Sequence, residues 1–135
     1  MSKSKLEPAA TTKTLPPPVR LAIDAAFDKK VFDVRVLVLL ESDAFTDYFV
    51  ICSATSVRQV RAIVDEIGKQ LKVEDMPPSH IEGYDRGEWV LMDFFDFVVH
   101  VFTPETRRFY DLERLWGSAV RIDISELNQS NPPPS

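Results

Sequence analysis

Apolar and polar positions along this chain follow two different periods, and the changes of period mark out the elements. From Val19 to Lys30, Leu21, Ala22, Ala25 and Ala26 recur at helical spacing. Asp24 turns elsewhere, and Lys29 and Lys30 sit where a helix C-terminus favours cations. The period then shortens: Val34, Val36, Val38 and Leu40 alternate with Arg35, Leu37 and Leu39, a β-branched stretch that predicts a strand. Tyr48 to Ser53 predicts a second, short apolar strand, and the polar segment from Glu41 to Asp47 predicts the turn between the two.

Helical spacing returns after Ser56, which forms a capping box with Gln59 and opens a stripe of Val57, Val60, Ile63, Val64, Ile67 and Leu71. Met76 to Ser79 breaks that helix with prolines. Ile81 to Tyr84, Trp89 to Asp93 and Phe97 to Phe102 then read as three strands, with turn signals at Asp85, Arg86 and Gly87 and again from Asp93 to Asp96. Thr103 can cap a final helix with Pro104 at its first position, and Phe109, Leu112, Leu115 and Trp116 supply its apolar face. The order is helix, two strands, helix, three strands, helix. It predicts a single α/β (α+β) domain: a mixed five-stranded sheet flanked by helices, with antiparallel hairpins joined through a crossover helix.

Composition changes this picture at the ends and in the choice of partners. Of ten prolines, Pro16, Pro17, Pro18, Pro132, Pro133 and Pro134 lie near the termini, so residues 1–18 and 125–135 read as polar, proline-rich tails around a domain at 19–124. A length of 135 residues suits one core. The formal net charge of -5 argues against sequence-independent nucleic-acid binding, which needs Lys and Arg to displace phosphate counterions, and leaves a basic protein surface as an acceptable partner. Cys52 is the only cysteine, which fits a reducing compartment. No apolar run has the length of a signal peptide core or a membrane span. The expected setting is cytoplasmic.

Candidate catalytic groups are sparse. The stretch Cys52-Ser53-Ala54-Thr55-Ser56 leaves a strand and opens a helix, so its amides and hydroxyls could hold a phosphate, although ordinary capping is the favoured account. A Gly-Ser turn of this kind opens nucleotidyltransferase sites, but that chemistry also needs closely spaced carboxylates for two metal ions. Asp93 and Asp96 are three apart, which puts them on opposite strand faces or at the flanks of a turn. His80 and His100 lie in no catalytic motif, with His100 read as a satisfied strand residue, and Cys52 reads as a buried hydrophobe with no cation beside it. No enzymatic activity, cofactor or metal is expected from these residues. Aromatics crowd the C-terminal half, more than one small core needs. Phe109 and Tyr110 are adjacent on one helix and cannot both point inward, so one should face out. The surrounding Arg107, Arg108, Asp111, Glu113 and Arg114 read as a solvated charged face or as the rim of a protein contact.

Thr46-Asp47-Tyr48-Phe49-Val50-Ile51-Cys52-Ser53-Ala54-Thr55-Ser56-Val57-Arg58-Gln59-Val60 resembles the D-Y-F-V-I-x-S-G-x-S-x-R-Q segment of ribosomal silencing factors, the Iojap family. Three further blocks resemble that family in the same order: Glu82-Gly83 followed by Trp89-Val90-Leu91-Met92-Asp93, then Asp96 to Phe102, then Arg107 to Trp116. Three positions depart from it: Ala54 and Phe95 stand where the family has Gly, and Phe94 where Tyr is common. A Phe at a position needing positive φ would be strained, so the turn at Phe95 should either differ or lengthen.

The resemblance implies a mixed-sheet fold related to nucleotidyltransferases without their catalytic carboxylates. It also implies a protein that binds ribosomal protein uL14 on the large ribosomal subunit, blocks joining of the small subunit and damps translation when nutrients fall. Matched by position, the partner-binding surface it implies comprises Trp89, Leu91, His100, Phe109, Tyr110 and Glu113, with aromatics as anchors and acids opposing a basic partner. No membrane contact and no direct nucleic-acid readout are expected. A homodimer is compatible with the aromatic surface. The alternative from the residues alone is a nucleotide-binding or nucleotidyltransferase-like enzyme using the Ser53 to Ser56 turn.

Overall fold

The longest helix forms where helical periodicity is strongest. In the computed structural model, which describes residues 15–40, 45–117 and 119–124, α2 (Val57–Val73) buries Val60, Ile63, Val64, Ile67 and Leu71 along one stripe. Ser56 caps it, its Oγ accepting from the Gln59 amide at 3.1 Å. The reciprocal arm of the capping box goes elsewhere. Gln59 accepts from the Thr55 amide (2.6 Å) and donates through Nε2 to the carbonyls of Lys29 (2.9 Å) and Lys30 (3.1 Å). One side chain thus starts α2 and fastens it to the end of α1 (Pro17–Asp28). That helix starts two residues ahead of the predicted Val19, with proline in its first turn, where no amide is missed. Leu15 is already in the core. Of the tails read at 1–18 and 125–135 and the turn read at 41–47, residues 1–14, 125–135 and 41–44 lie outside the described residues, and Pro17 and Pro18 belong to α1.

The strands are β1 (Phe32–Val38), β2 (Tyr48–Ser53), β3 (His80–Glu82), β4 (Trp89–Asp93), β5 (Phe97–Phe102) and β6 (Val120–Ile122), in the sheet order β3-β4-β5-β2-β1-β6. Only β2 and β5 pair in parallel, as a crossover through α2 requires; the other neighbours are antiparallel. Among the described residues the sheet therefore has six strands, not the predicted five. Three residues cannot display a period, so β6 leaves no signal in the sequence; it forms by pairing with Val36, Leu37 and Val38 at the free edge of β1.

The final helix is also corrected. Asp111 takes a left-handed conformation (φ 48) that ends α3 (Pro104–Tyr110) and starts α4 (Leu112–Leu115). A single apolar face across both is lost: Leu112 and Trp116 pack against the sheet, whereas Phe109 and Leu115 stand 80% and 74% exposed. Pro104 does occupy the first turn, but the Thr103 hydroxyl pairs with that of Thr106 (2.8 Å) instead of capping an amide.

Strand alternation sends side chains to two faces. Val34, Val36, Val50, Cys52, Val90, Met92, Phe97, Val99 and Val101 meet α1 and α2 in the larger core. Leu37, Leu39, Ile51 and Phe102 form a smaller core on the other face, under Leu112 and Trp116. In the β4–β5 turn Phe95 adopts φ 81 while its amide donates to Asp93 Oδ1 (2.8 Å). The residue carries the strain of that conformation. Asp93 and Asp96 accordingly flank a turn. Gly83 also has positive φ, and a Cβ there would run into the Trp89 carbonyl, which explains the glycine of the Glu-Gly pair. Among the described residues no helix is long and apolar enough to cross a membrane.

Candidate functional site

The face away from α1 and α2 is where the predicted partner-binding residues gather. Antiparallel register sets Trp89 opposite Phe102 and Leu91 opposite His100. The parallel neighbour adds Ile51 beside His100 and Phe49 beside Val98. These side chains form one continuous aromatic sheet surface. Trp89 stacks on Phe102 with centroids 5.0 Å apart, and Phe49 meets His100 edge-on at 4.6 Å and Trp116 at 5.7 Å.

α3 extends this surface outward. Tyr110 lies 4.7 Å from Trp89 and is half exposed, and Phe109 stands edge-on to Tyr110 at 5.0 Å. The expectation that one of the pair faces out is exceeded, since both do, Phe109 the further of the two. Trp89, Leu91, His100 and Tyr110 are thus brought together, with Phe109 at the outer edge.

Glu113 lies apart from this cluster. Its carboxylate holds Arg107 through both oxygens, at 2.7 Å and 3.3 Å. Arg107 also donates to Ser53 Oγ (2.8 Å) and to the carbonyl of Asp33 (2.6 Å), a residue at positive φ in an irregular stretch of β1. Arg107 is therefore buried, which corrects its reading as part of a solvated face. The same bonds occupy Ser53, while Ser56 is occupied as a cap, so the strand-to-helix turn is spent on structure. Among the described residues no group of three His, Cys, Asp or Glu side chains could hold a metal ion.

Cys52 is fully buried, with Sγ 3.5 Å from the His100 carbonyl, and burial pushes its thiol up to about 12 against the opposing pull of Arg107. A cation does lie near this cysteine, contrary to the sequence reading, but burial outweighs it. His100 is more unusual. Trp89 Nε1–H donates to its Nδ1 at 3.1 Å. An indole N–H can only donate, so the neutral ring carries its proton on Nε2. Burial lowers the His100 pKa to about 4. Nε2 has no partner among the described residues, nor has the buried Thr46 Oγ1. His100 is thus only half satisfied.

Both residues border a cavity of about 450 Å³ whose walls also include Phe49, Leu91, Val98 and Trp116. Thr46, Phe49, Val98 and Trp116 are not site candidates on sequence grounds. One signal does exist for Phe49: it and Ile51 are apolar between the equally apolar Val50 and Cys52, so both faces of that strand need cover.

A small α+β domain with one sheet face under two helices and the other left partly bare and aromatic is the class that fold and site define. The family model described as ribosomal silencing factor during starvation matches residues 12–135, and the chain belongs to the ribosomal silencing factor family. It is 38% identical over 106 residues to a ribosomal silencing factor of Halalkalibacterium halodurans, covering 78% of this chain and 91% of that one. It is 41% identical over 87 residues to mitochondrial assembly of ribosomal large subunit protein 1 of Mus musculus, covering 62% of this chain and 38% of that longer one. A crystal structure of a Chromobacterium violaceum protein superposes with a TM-score of 0.72 at 36% identity, over 74% of this chain and 83% of that one.

Proposed function

We propose that this protein acts in the cytoplasm as a translational repressor: it docks on the large ribosomal subunit through ribosomal protein uL14 and sterically blocks the small subunit under nutrient limitation. The observation that carries this reading is the run from partly buried Trp89 to exposed Tyr110 and Phe109 at the edge of a partly covered apolar sheet face. Large aromatics held at a surface by their neighbours are the usual anchors of protein interfaces. Family membership supports the ribosomal target, and the name of the mouse relative points to the large subunit. A chain of net charge -5 is repelled by ribosomal RNA and drawn to exposed basic protein, which orients its approach. Blocking needs no chemistry, only a bound domain where the other subunit would sit.

Co-sedimentation with purified large subunits tests the proposal, followed by subunit joining with and without the protein. Wild type should travel with the large subunit and reduce joining. Tyr110→Ala, at a half-exposed position and shown to be folded by circular dichroism, should weaken binding at least about tenfold. A folded wild type that ignores large subunits would overturn the reading.

A further inference from the structure

We infer that Arg107 and Glu113 are positioning residues: their ion pair holds the chain bent at Asp111 and so presents Phe109 and Tyr110 to the partner, in place of an unbroken helix that would withdraw Phe109. The inference rests on the docking face proposed above, and it assigns Glu113 to the support of that face instead of its contact surface.

The competing conformation is written in the sequence. From Phe109 to Trp116 the apolar residues keep helical spacing, and in a continuous helix Phe109, Leu112 and Trp116 share one face. Burying Leu112 and Trp116 would then turn Phe109 inward. The bend separates them: Leu112 and Trp116 pack against the sheet, while Phe109 stays 80% exposed beside Tyr110. Backbone bonding stops and restarts at one residue. The Asp111 amide donates to the Arg107 carbonyl (2.9 Å), and the Arg114 and Leu115 amides donate to the Asp111 carbonyl (3.1 and 3.3 Å). Asp111 sits at φ 48 and ψ 56, a left-handed conformation that costs a residue with a Cβ and persists only where its surroundings hold it.

The ion pair is what can hold it. Residues six apart on an unbroken helix lie about 120° apart around the axis and about 9 Å apart along it, so their side chains are not neighbours. At the bend both Glu113 oxygens reach the Arg107 guanidinium, at 2.7 and 3.3 Å. The pair therefore exists in the bent form alone. With side chains 8% and 19% exposed it is shielded from water and salt, and straightening would leave a buried guanidinium without its carboxylate. Arg107 also donates to Ser53 Oγ and to the Asp33 carbonyl, which ties the bend to β2 and β1. The turn of chain that carries Tyr110 onto Trp89 is thus fixed against the sheet.

The test uses the full-length protein with two readouts. One is the nuclear Overhauser contact from Arg108 Hα to the Leu112 amide, which a continuous helical turn makes and the bend does not; the other is co-sedimentation with large ribosomal subunits. A folded Glu113→Ala should gain the contact and bind about tenfold more weakly, the loss expected when about one molecule in ten remains bent. Adding Asp111→Gly, which accepts positive φ freely and disfavours a helix interior, should remove the contact and restore affinity to within about threefold of wild type. Should Glu113→Ala fail to fold, Glu113→Gln, which keeps the shape and removes the charge, should show the same changes in smaller degree. A folded Glu113 variant that stays bent would overturn the inference. So would a double variant that is bent yet still binds weakly, since Glu113 would then touch the partner itself. Wild type that ignores large subunits would instead overturn the docking reading, and the contact between Arg108 and Leu112, read on the protein alone, would still decide whether the pair holds the bend.

Discussion

The two faces of the sheet come from the same strands yet divide the work of the molecule. Under α1 and α2, Val99, Val101, Met92 and Val36 are sealed by apolar stripes from two long helices. On the other face two short helical pieces cover only Phe102, Ile51 and their neighbours. The buried polar residues Arg107, Ser53, His100 and Thr46 belong to this second side or its edge. A face closed by its own chain stores stability. A face closed only in part keeps apolar area for something else.

The sharpest way to break this comparison is to cut into each face in turn. Ile67→Ala, at a fully buried position of α2, should cost about 4 kcal/mol through lost burial and a residual cavity. Leu91→Ala, on the bare face, should cost about 1 kcal/mol. Urea denaturation of both variants measures the gap, and equal losses would mean that the faces do not differ as described.

Acid should strain the second face selectively. Burial lowers the His100 pKa from 6.5 to about 4, so the unfolded chain takes up this proton first as pH falls. The contribution is complete above about pH 6.5 and is lost progressively toward pH 4. Between pH 7 and pH 5 the loss from this one group should be roughly 2 kcal/mol. A folded His100→Phe should lack that component, which urea melts at the two pH values would reveal as a flatter pH dependence.

The smallest effect is expected at the rim. Phe95→Gly should stabilise the protein by about 1 kcal/mol, because glycine accepts positive φ without strain and the 79% exposed ring gives up little burial. Thermal melting checks the sign. A fall in Tm would show that the Phe95 ring contributes more at the cavity edge than its backbone costs.

Much of the fold is legible in the order of residues. The stripe of α2, the Ser56 cap, proline in the first turn of α3, the antiparallel hairpins and the crossover all follow from local spacing. The four matched blocks lead to the family. The same residues are less informative about the site: Trp89, Leu91, His100 and Tyr110 do gather, but Glu113 turns to Arg107, and Phe49, Thr46, Val98 and Trp116 join the cavity wall with no motif to mark them. Asp111 splits a helix whose apolar spacing reads as unbroken, because a left-handed residue leaves no mark in a hydrophobic period.

Sequence alone determined the elements, most of their order and the family, since helix and strand periods and motif blocks are properties of neighbouring residues. Tertiary structure decided the sixth strand, the burial of Arg107, the proton position on His100 and the cavity. Each of these depends on groups that only folding brings together. Arg107 reaches Ser53 across 54 positions and Asp33 across 74, and Trp89 sets the His100 tautomer from the next strand. A hydrogen bond is made at about 3 Å in space, and no spacing along the chain encodes that distance.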